Sequence, residues 1–328
     1  MSPWSVGGSF WSPPSSAPAV WLSTGSCDGS IHVSASPDAP RASSDRIVLV
    51  AVARTAVARI GLIVLGVIGF AGLLAPWIAP FDPAAQLDIV ALKNSAPSMA
   101  HLLGTDAYSR DVLSRVLFGA RTSLAVAATA TLLALAIGSA WGAIAASVGR
   151  RIGDAMMSVV DVLRSIPRIL LLLGAVVLLG AMSGAGLAVV LGLSAWTGMA
   201  RLVYVLVREQ RARPYIEAAR SLGASSQRVL FRHIAPLLVR PLAASAVLLL
   251  ADMLALESGL SFIGIGIRPP GASWGNMVQD ALPYLRSAWW LAAIPCVLLV
   301  ATVLSAASIA DRLGDEPPHD SGRSSRHS

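Results

Sequence analysis

Residues 215–236 have the sequence YIEAARSLGASSQRVLFRHIAP, a polar and basic interval between two strongly apolar regions. The residues before Gly223 are good helix formers, and a glycine commonly follows the last turn of a helix. Ser225 or Ser226 can cap a second helix, which we expect to stop before Pro236 because the residue before a proline disfavours helical backbone. The interval therefore predicts a two-helix hairpin outside the bilayer, between two membrane spans.

The residue order in this interval resembles the coupling loop of bacterial ABC-importer permeases. In that family the loop docks into a cleft on the ATP-hydrolysing subunit. The matching positions are Glu217, Ala218, Ala219, Gly223 and Pro236, whereas Ala235 stands where leucine is typical. The resemblance implies that residues 209–240 form the ATPase-coupling loop. On charge alone, the same residues would be an ordinary basic cytoplasmic loop.

The composition is that of a membrane protein. Hydrophobic residues make up 55% of the 328 residues and charged residues only 13%, whereas soluble domains contain about 25% charged residues. The net charge of +7 comes from arginines in loops between apolar runs, which argues against nucleic-acid binding. Cys27 and Cys296 lie in unlike settings, so they predict neither a disulfide framework nor a metal site.

Apolar runs long enough to cross a bilayer predict an all-α protein with six membrane spans. The predicted spans are residues 60–79, 122–148, 156–182, 187–207, 242–264 and 288–310. Arginines before the first span and in the 209–240 loop place both segments in the cytoplasm, and an even number of spans then places both termini there. Residues 1–45 are expected to be a disordered tail, unless the start codon has been assigned too far upstream. Residues 311–328 are expected to be a polar cytoplasmic tail.

Charged residues inside the predicted spans are candidates for a gate or a substrate pathway, because intramembrane charges are costly. The candidates are Asp161, Arg164, Asp252 and Glu257. Asp161 and Arg164 are three residues apart on one helix and are expected to pair, which makes a purely structural pair the alternative to a gate. Asp252 and Glu257 do not share a helix face, so we expect no proton relay between them. Pro167 predicts a bend in the third span.

Two further stretches, residues 101–124 and 260–277, resemble the C-type permease of dipeptide, oligopeptide and nickel importers. Positions that match include Gly104, Thr105, Asp106, Arg110, Asp111, Trp274, Gly275 and Asn276. Ser109 stands where glycine is usual. The parts of both stretches that lie between the predicted spans are expected to be extracytoplasmic.

The residues in these stretches also carry physical predictions of their own. Val112, Val116 and Leu117 share one helical face, which predicts a separate interfacial helix before the second span. Prolines and glycines preclude a continuous helix after Arg268, so an ordered loop is predicted there. Trp274 is expected to anchor that loop in a buried or interfacial position, with contact to a binding protein as the alternative.

The sequence contains no phosphate-binding loop, no nucleophile elbow and no paired metal-protease histidines. The resemblance covers about residues 55–310 and implies the type I ABC-importer permease fold. It implies a permease that imports di- or oligopeptides across the bacterial cytoplasmic membrane by alternating access, without a catalytic residue, metal or cofactor of its own. Its expected partners are a second related permease, two ATPase subunits that use ATP and Mg, and an extracytoplasmic binding protein.

The alternatives of the same class are import of nickel, glutathione or another small solute. The alternatives of a different class are a membrane-embedded enzyme, for which Asp161, Asp252 or Glu257 would supply the acid, and a structural scaffold.

Overall fold

Long apolar helices organise the chain. The computed structural model describes residues 42–180 and 182–314. The helices are α1 Ala42–Leu73, α2 Ala75–Ile78, α3 Val112–Ser147, α4 Arg150–Ser165, α5 Arg168–Leu179, α6 Gly184–Arg211, α7 Pro214–Ser221, α8 Ser226–Arg228, α9 Ala235–Phe262, α10 Trp274–Ala281 and α11 Trp290–Gly314. A π-helical turn, Val229–Ile234, joins α8 to α9, and a 3-10 turn, Leu282–Tyr284, follows α10.

Five helical segments of the described residues are long and apolar enough to cross a bilayer. They are α1, α3, α6, the segment from α8 through α9, and α11. The pair α4–α5 makes a sixth span if it crosses as one unit, and its two helices are bent by 78° at the break that contains Pro167. The predicted all-α membrane fold and the bend at Pro167 are therefore confirmed.

The predicted interfacial helix is wrong. Val112, Val116 and Leu117 lie in the first turns of α3, which continues without a break to Ser147. The Asp111 side chain caps α3 by accepting a hydrogen bond from the Ser114 amide at 2.8 Å. Because a good cap precedes Val112 and no proline follows it within the helix, α3 starts ten residues before the predicted span.

The helix after Gly223 does not stop before Pro236, contrary to the prediction. Residues from Ser226 to Phe262 form one continuous helical segment. The π-helical turn ends at Ile234, and Pro236 occupies the first turn of α9, which begins at Ala235. Amides in the first turn of a helix have no regular hydrogen-bond partner. A proline there, which has no amide hydrogen, therefore does not break the helix.

The first span and the tails also differ from their predicted bounds. The run 60–79 is interrupted at Leu74, between α1 and α2. Ala42 to Asp45 belong to α1, and the other residues of the predicted tail 1–45 lie outside the described residues. Of the predicted tail 311–328, the residues beyond Gly314 likewise lie outside them.

The bundle packs through small residues where α3 crosses α6. A Cβ added to Gly142 would lie 2.4 Å from the Ala200 carbonyl oxygen, and one added to Gly138 would lie 2.5 Å from the Met199 Cβ. Such close backbone approach is typical of helix pairs in membranes, where dispersion contacts drive association. We call the end that carries α7 and α8 the hairpin end and the end that carries α10 the loop end.

Candidate coupling surface and polar sites in the bundle

The hairpin of α7 and α8 is closed by a glycine turn. Gly223 has φ +87°, its amide donates to the Arg220 carbonyl at 2.9 Å, and the Ala224 amide donates to the Ala219 carbonyl at 3.1 Å. These two bonds form a Schellman motif, which needs a left-handed residue that glycine adopts without strain. Ser225, one of the two candidate caps, then caps the second arm by accepting from the Arg228 amide at 3.3 Å.

Only a few side chains hold the hairpin to the bundle. Ile216, Val229 and Ile234 are fully buried. They pack in an apolar cluster at the hairpin end that includes Met157 of α4 and Tyr204 of α6. Because each arm supplies buried residues, a force on the hairpin is transmitted directly to α4, α6 and α9.

The outer face of the hairpin is apolar and basic. Leu222 is 89% exposed and Phe231 is 72% exposed. Arginines at positions 213, 220, 228 and 232 of the same interval are also exposed. Exposed apolar side chains with a charged rim are typical of a protein-binding surface. We call this face, Leu222 and Phe231 with those four arginines, the coupling surface.

The five predicted coupling residues lie on or beside this surface. Glu217, Ala218, Gly223 and Pro236 are exposed, and Ala219 is half-buried. The Glu217 carboxylate has no hydrogen-bond or ion-pair partner within the described part of the chain. Their role in binding an ATPase subunit stays a prediction.

The loop end is held by buried charges. Arg110 donates from Nε to Asp106 at 2.6 Å and from Nη2 to Asp280 of α10 at 2.8 Å. Arg115 of α3 lies 3.4 Å from Asp106 and 3.6 Å from Asp280, measured between nitrogen and carboxylate oxygen. Burial of two arginines is tolerated because each faces two carboxylates. The network ties the loop before α3 to α10.

A tight turn completes this network. Gly104 has φ +76° and Ser109 has φ +55°. Ser109 therefore adopts the left-handed turn conformation although glycine is usual at its position. The Asp106 side chain stabilises it by accepting from the amides of Tyr108 at 2.8 Å and Arg110 at 3.0 Å. Thr105 pairs with Asp111 in an isolated β-bridge, and the Asp111 carboxylate also lies 3.0 Å from His101 Nδ1.

Trp274 is the largest fully buried side chain at the loop end. It begins α10, in place of the predicted irregular loop, and its indole Nε1 donates to the Val116 carbonyl at 3.2 Å. Asn276 and Ser273 form a capping box at the start of α10. A Cβ on Gly275 would lie 2.2 Å from the Ser258 carbonyl oxygen, so α10 rests directly on the backbone of α9. Burial of Trp274 favours the anchoring role over contact with a binding protein.

Glu257 is fully buried in a group of serines. Its carboxylate accepts from Ser261 at 2.8 Å and from Ser258 at 3.2 Å. The hydroxyls of Ser123 and Ser273 also hydrogen-bond to it. Glu257 therefore joins α3, α9 and the start of α10, and it does not face the exposed side of α9 on which Asp252 lies.

Of the remaining pathway candidates, Asp161 and Asp252 contact partners on other helices, and Arg164 is exposed on α4. Asp161 of α4 pairs with Arg201 of α6 at 3.1 Å, so the predicted pair with Arg164 is wrong. Asp252 of α9 pairs with Arg168 at 2.5 Å. Asp161 pairs with Arg201 and not with Arg164, because the antiparallel packing of α4 against α6 brings Arg201 close to its carboxylate.

Sequence reasoning did not identify Arg168 or Arg201. A spacing of seven residues, present on both sides of these pairs, is the signal that could have identified them. Asp154, Asp161 and Arg168 are spaced by seven, as are Ser194, Arg201 and Arg208. Seven residues are about two helical turns, so Ser194, Arg201 and Arg208 lie along one line of α6, and Asp154 and Asp161 lie along one line of α4. Arg168 follows the bend and begins α5.

Metal binding has no support in the described residues, where no three His, Cys, Asp or Glu side chains converge on a common point.

Comparison with known proteins gives the family. The profile of the binding-protein-dependent transport system inner membrane component matches residues 138–314, more than half of the chain. The profile of the N-terminal TM domain of oligopeptide transport permease C matches residues 53–97. Neither match depends on the geometry described above.

Individual relatives agree with these profiles. A peptide transport system permease protein of Brucella suis biovar 1 is 37% identical over 259 residues, which cover 78% of this chain and 86% of the relative. The di/tripeptide transport system permease protein of Pseudomonas aeruginosa is 31% identical over 264 residues, with 78% and 85% covered. The inward-facing MetNI methionine ABC transporter covers 60% of this chain and 92% of its own at 21% identity, with a TM-score of 0.48. The chain belongs to the binding-protein-dependent transport system inner membrane components, the multi-pass permease subunits of bacterial ABC importers.

Proposed function

We propose that this permease moves di- or oligopeptides across the cytoplasmic membrane by alternating access, driven by separate ATPase subunits that dock on the coupling surface. The observation that carries the proposal is the hairpin, which combines a buried inner face with an apolar, basic outer face. Peptide as cargo is supported by the relatives, which are named as peptide permeases. Nickel, glutathione or another small solute is the alternative cargo.

The hairpin has the mechanical properties that coupling requires. Ile216 and Val229 join it to α4 and α6, while α8 continues through the π-helical turn into α9 without a flexible linker. Movement of the hairpin by a bound ATPase would therefore rotate or tilt α9 as a rigid arm. Nucleotide and substrate shift the inward–outward equilibrium only by their differential affinity for its two states.

Charge supports the orientation of the bundle. Arginines concentrate at the hairpin end, at positions 208, 211, 213, 220, 228 and 232. By the positive-inside rule this concentration supports a cytoplasmic hairpin, and six spans would put both termini on the same side of the membrane. The same orientation places α10 and the buried charge network outside, where a binding protein delivers substrate.

The complete importer in this proposal contains a second related permease, two ATPase subunits and a binding protein. ATP and Mg are used by the ATPase subunits, and this chain holds no cofactor. A membrane-embedded enzyme has less support because Glu257 is enclosed by serines and Asp161 and Asp252 are each paired with an arginine. A passive scaffold leaves the exposed coupling surface without a use.

Photo-crosslinking tests the coupling surface. A photoreactive amino acid replaces Leu222, and a matched variant carries it at Leu178, which is equally exposed on α5 within the bundle. We expect the Leu222 variant to crosslink to an ATP-binding subunit in native membranes and the Leu178 variant not to do so. Crosslinks to ATPase from neither position, or equally from both, would contradict the proposal. Uptake of labelled dipeptide by cells with the complete importer tests the cargo separately.

A further inference from the structure

Three polar pairs form a ladder between α6 and the bent pair α4–α5. The rung nearest the hairpin end is Asp154–Arg208, with 3.6 Å between Oδ1 and Nη1. The middle rung is Asp161–Arg201 at 3.1 Å. In the third rung, Arg168 donates from Nε to Ser194 at 2.9 Å. We call these three pairs the charge ladder.

The third rung reverses the sign of the ladder. On α4 the first two rungs carry carboxylates, whereas the third carries Arg168 at the start of α5. Arg168 also donates from Nη1 to Asp252 of α9 at 2.5 Å. The rung therefore presents a cation and an anion side by side, with a serine hydroxyl between α5 and α6.

The ladder is open on one side. The carboxylates of the three acids, Asp154, Asp161 and Asp252, are 52%, 54% and 52% exposed. Asp252 lies ten residues from the loop end of α9, about 15 Å from that end and near the middle of a bilayer. Exposed ion pairs at that depth are costly against lipid and face the bundle interior or a water-filled cavity in membrane proteins. The open side of the ladder is therefore the side that faces the interior of the importer.

The spacing of the rungs matches a short peptide. Seven residues along α6 separate Ser194 from Arg201, about 10 Å. An extended tripeptide spans about 10 Å between its ends because each residue adds at most about 3.3–3.6 Å. When the terminal carboxylate of a tripeptide binds Arg168, its amino terminus therefore lies near Asp161. The amino terminus of a shorter dipeptide can reach Asp252 instead.

We infer that the charge ladder lines the translocation route and that its Arg168 rung binds the terminal carboxylate of a zwitterionic peptide, with Asp252 or Asp161 receiving the terminal ammonium. This inference rests on the proposed function, since it assigns a site to the peptide cargo. Arginine suits the role because its planar guanidinium pairs with a carboxylate through two parallel hydrogen bonds. Exchange of Asp252 for the peptide carboxylate lets the cargo enter without leaving Arg168 unpaired.

Cysteine accessibility tests the open side of the ladder. Thr197 lies on α6 between the second and third rungs and is half-buried. Thr197→Cys is made in a Cys27→Ala, Cys296→Ala background, with Val189→Cys, on another face of α6, as the matched control. A charged, membrane-impermeant thiol reagent added to inside-out and right-side-out vesicles containing the whole importer should modify Cys at 197 at least tenfold faster than at 189. A di- or tripeptide added with the binding protein should slow the reaction at 197.

Substitution of the third rung separates ligand binding from packing. Arg168→Gln should lower peptide uptake at least tenfold, and Arg168→Lys should restore part of it. The double variant Arg168→Gln, Asp252→Asn removes both charges, so neither is left unpaired. If the pair is merely structural, uptake should recover in the double variant. If Arg168 binds the peptide carboxylate, uptake should stay low. Amounts of each variant in the membrane are compared by immunoblot.

The outcomes decide between the two proposals. Unreactive Cys at 197 in a transporter that takes up peptide overturns the charge-ladder inference alone and indicates that lipid or the second permease covers the ladder. Recovered uptake in the double variant also overturns that inference alone and indicates that Arg168 and Asp252 are a structural pair. A parent importer that takes up no peptide overturns the proposed cargo, and the inference falls with it.

Discussion

The two ends of the bundle are built in opposite ways. At the loop end, Trp274 and Arg115 are almost completely buried, and the charges of Asp106 and Asp280 are used inside the protein. At the hairpin end, arginines and two large apolar side chains, Leu222 and Phe231, are exposed. The loop end pairs its buried arginines with its own carboxylates, whereas the hairpin end leaves binding groups available. This difference indicates a rigid outer frame and a surface at the opposite end made for a partner.

Loss of the Trp274 side chain should have the largest effect on this comparison. Trp274→Ala removes a fully buried side chain and its hydrogen bond to Val116, so we expect the free energy of unfolding to fall by about 3–5 kcal/mol. Trp77→Ala is the control, because Trp77 is 77% exposed. Thermal unfolding of purified protein in mild detergent measures both. Equal losses for the two variants would mean that the loop end is no more rigid than its surroundings.

The contact between α10 and α9 should give a smaller effect. Gly275→Ala places a Cβ 2.2 Å from the Ser258 carbonyl oxygen. The backbone must shift to avoid this overlap, and we expect the free energy of unfolding to fall by about 1–3 kcal/mol. Gly174→Ala in α5 meets nothing within 4 Å and should raise it by about 0.5–1 kcal/mol, since alanine favours helix. The same detergent unfolding assay checks the opposite signs. A neutral Gly275→Ala would show that α10 can shift away from α9.

The sequence predicts the helices better than it predicts their ends and partners. Apolar runs determine where α3, α6 and α11 cross, because a bilayer-length apolar segment has no other stable arrangement. The start of α3 depends on one cap from Asp111, and the passage of α9 through Pro236 depends on a π-helical turn, which no simple pattern indicates. Ser109 adopts a turn usual for glycine because Asp106 accepts its neighbours' amides.

The candidate sites differ in the same way. The hairpin was predictable because its signals are local: helix formers, a glycine and a capping serine within one interval. The partner of Asp161 was not, because Arg201 lies forty residues away and only the packing of α4 against α6 brings the two together. Glu257 shows a second limit, since its sequence position does not indicate that neighbouring serines donate hydrogen bonds to its carboxylate. Its place on a pathway stays a prediction.

Gly223→Ala should give the smallest change in stability and the clearest difference between the two ends. A Cβ at this position meets nothing within 4 Å, but φ +87° strains it by about 1–2 kcal/mol. Because only Ile216, Val229 and Ile234 fix the hairpin, we expect the strain to open it locally, with amide exchange in residues 215–228 about five- to thirtyfold faster. The thermal unfolding of the bundle should change little. Gly198→Ala, in open space on α6 without a positive φ, is the control and should leave exchange in the hairpin unchanged. If Gly223→Ala instead lowered the stability of the whole bundle as much as Gly275→Ala, the hairpin would be as much a part of the rigid frame as α10, and the contrast between the two ends would be lost.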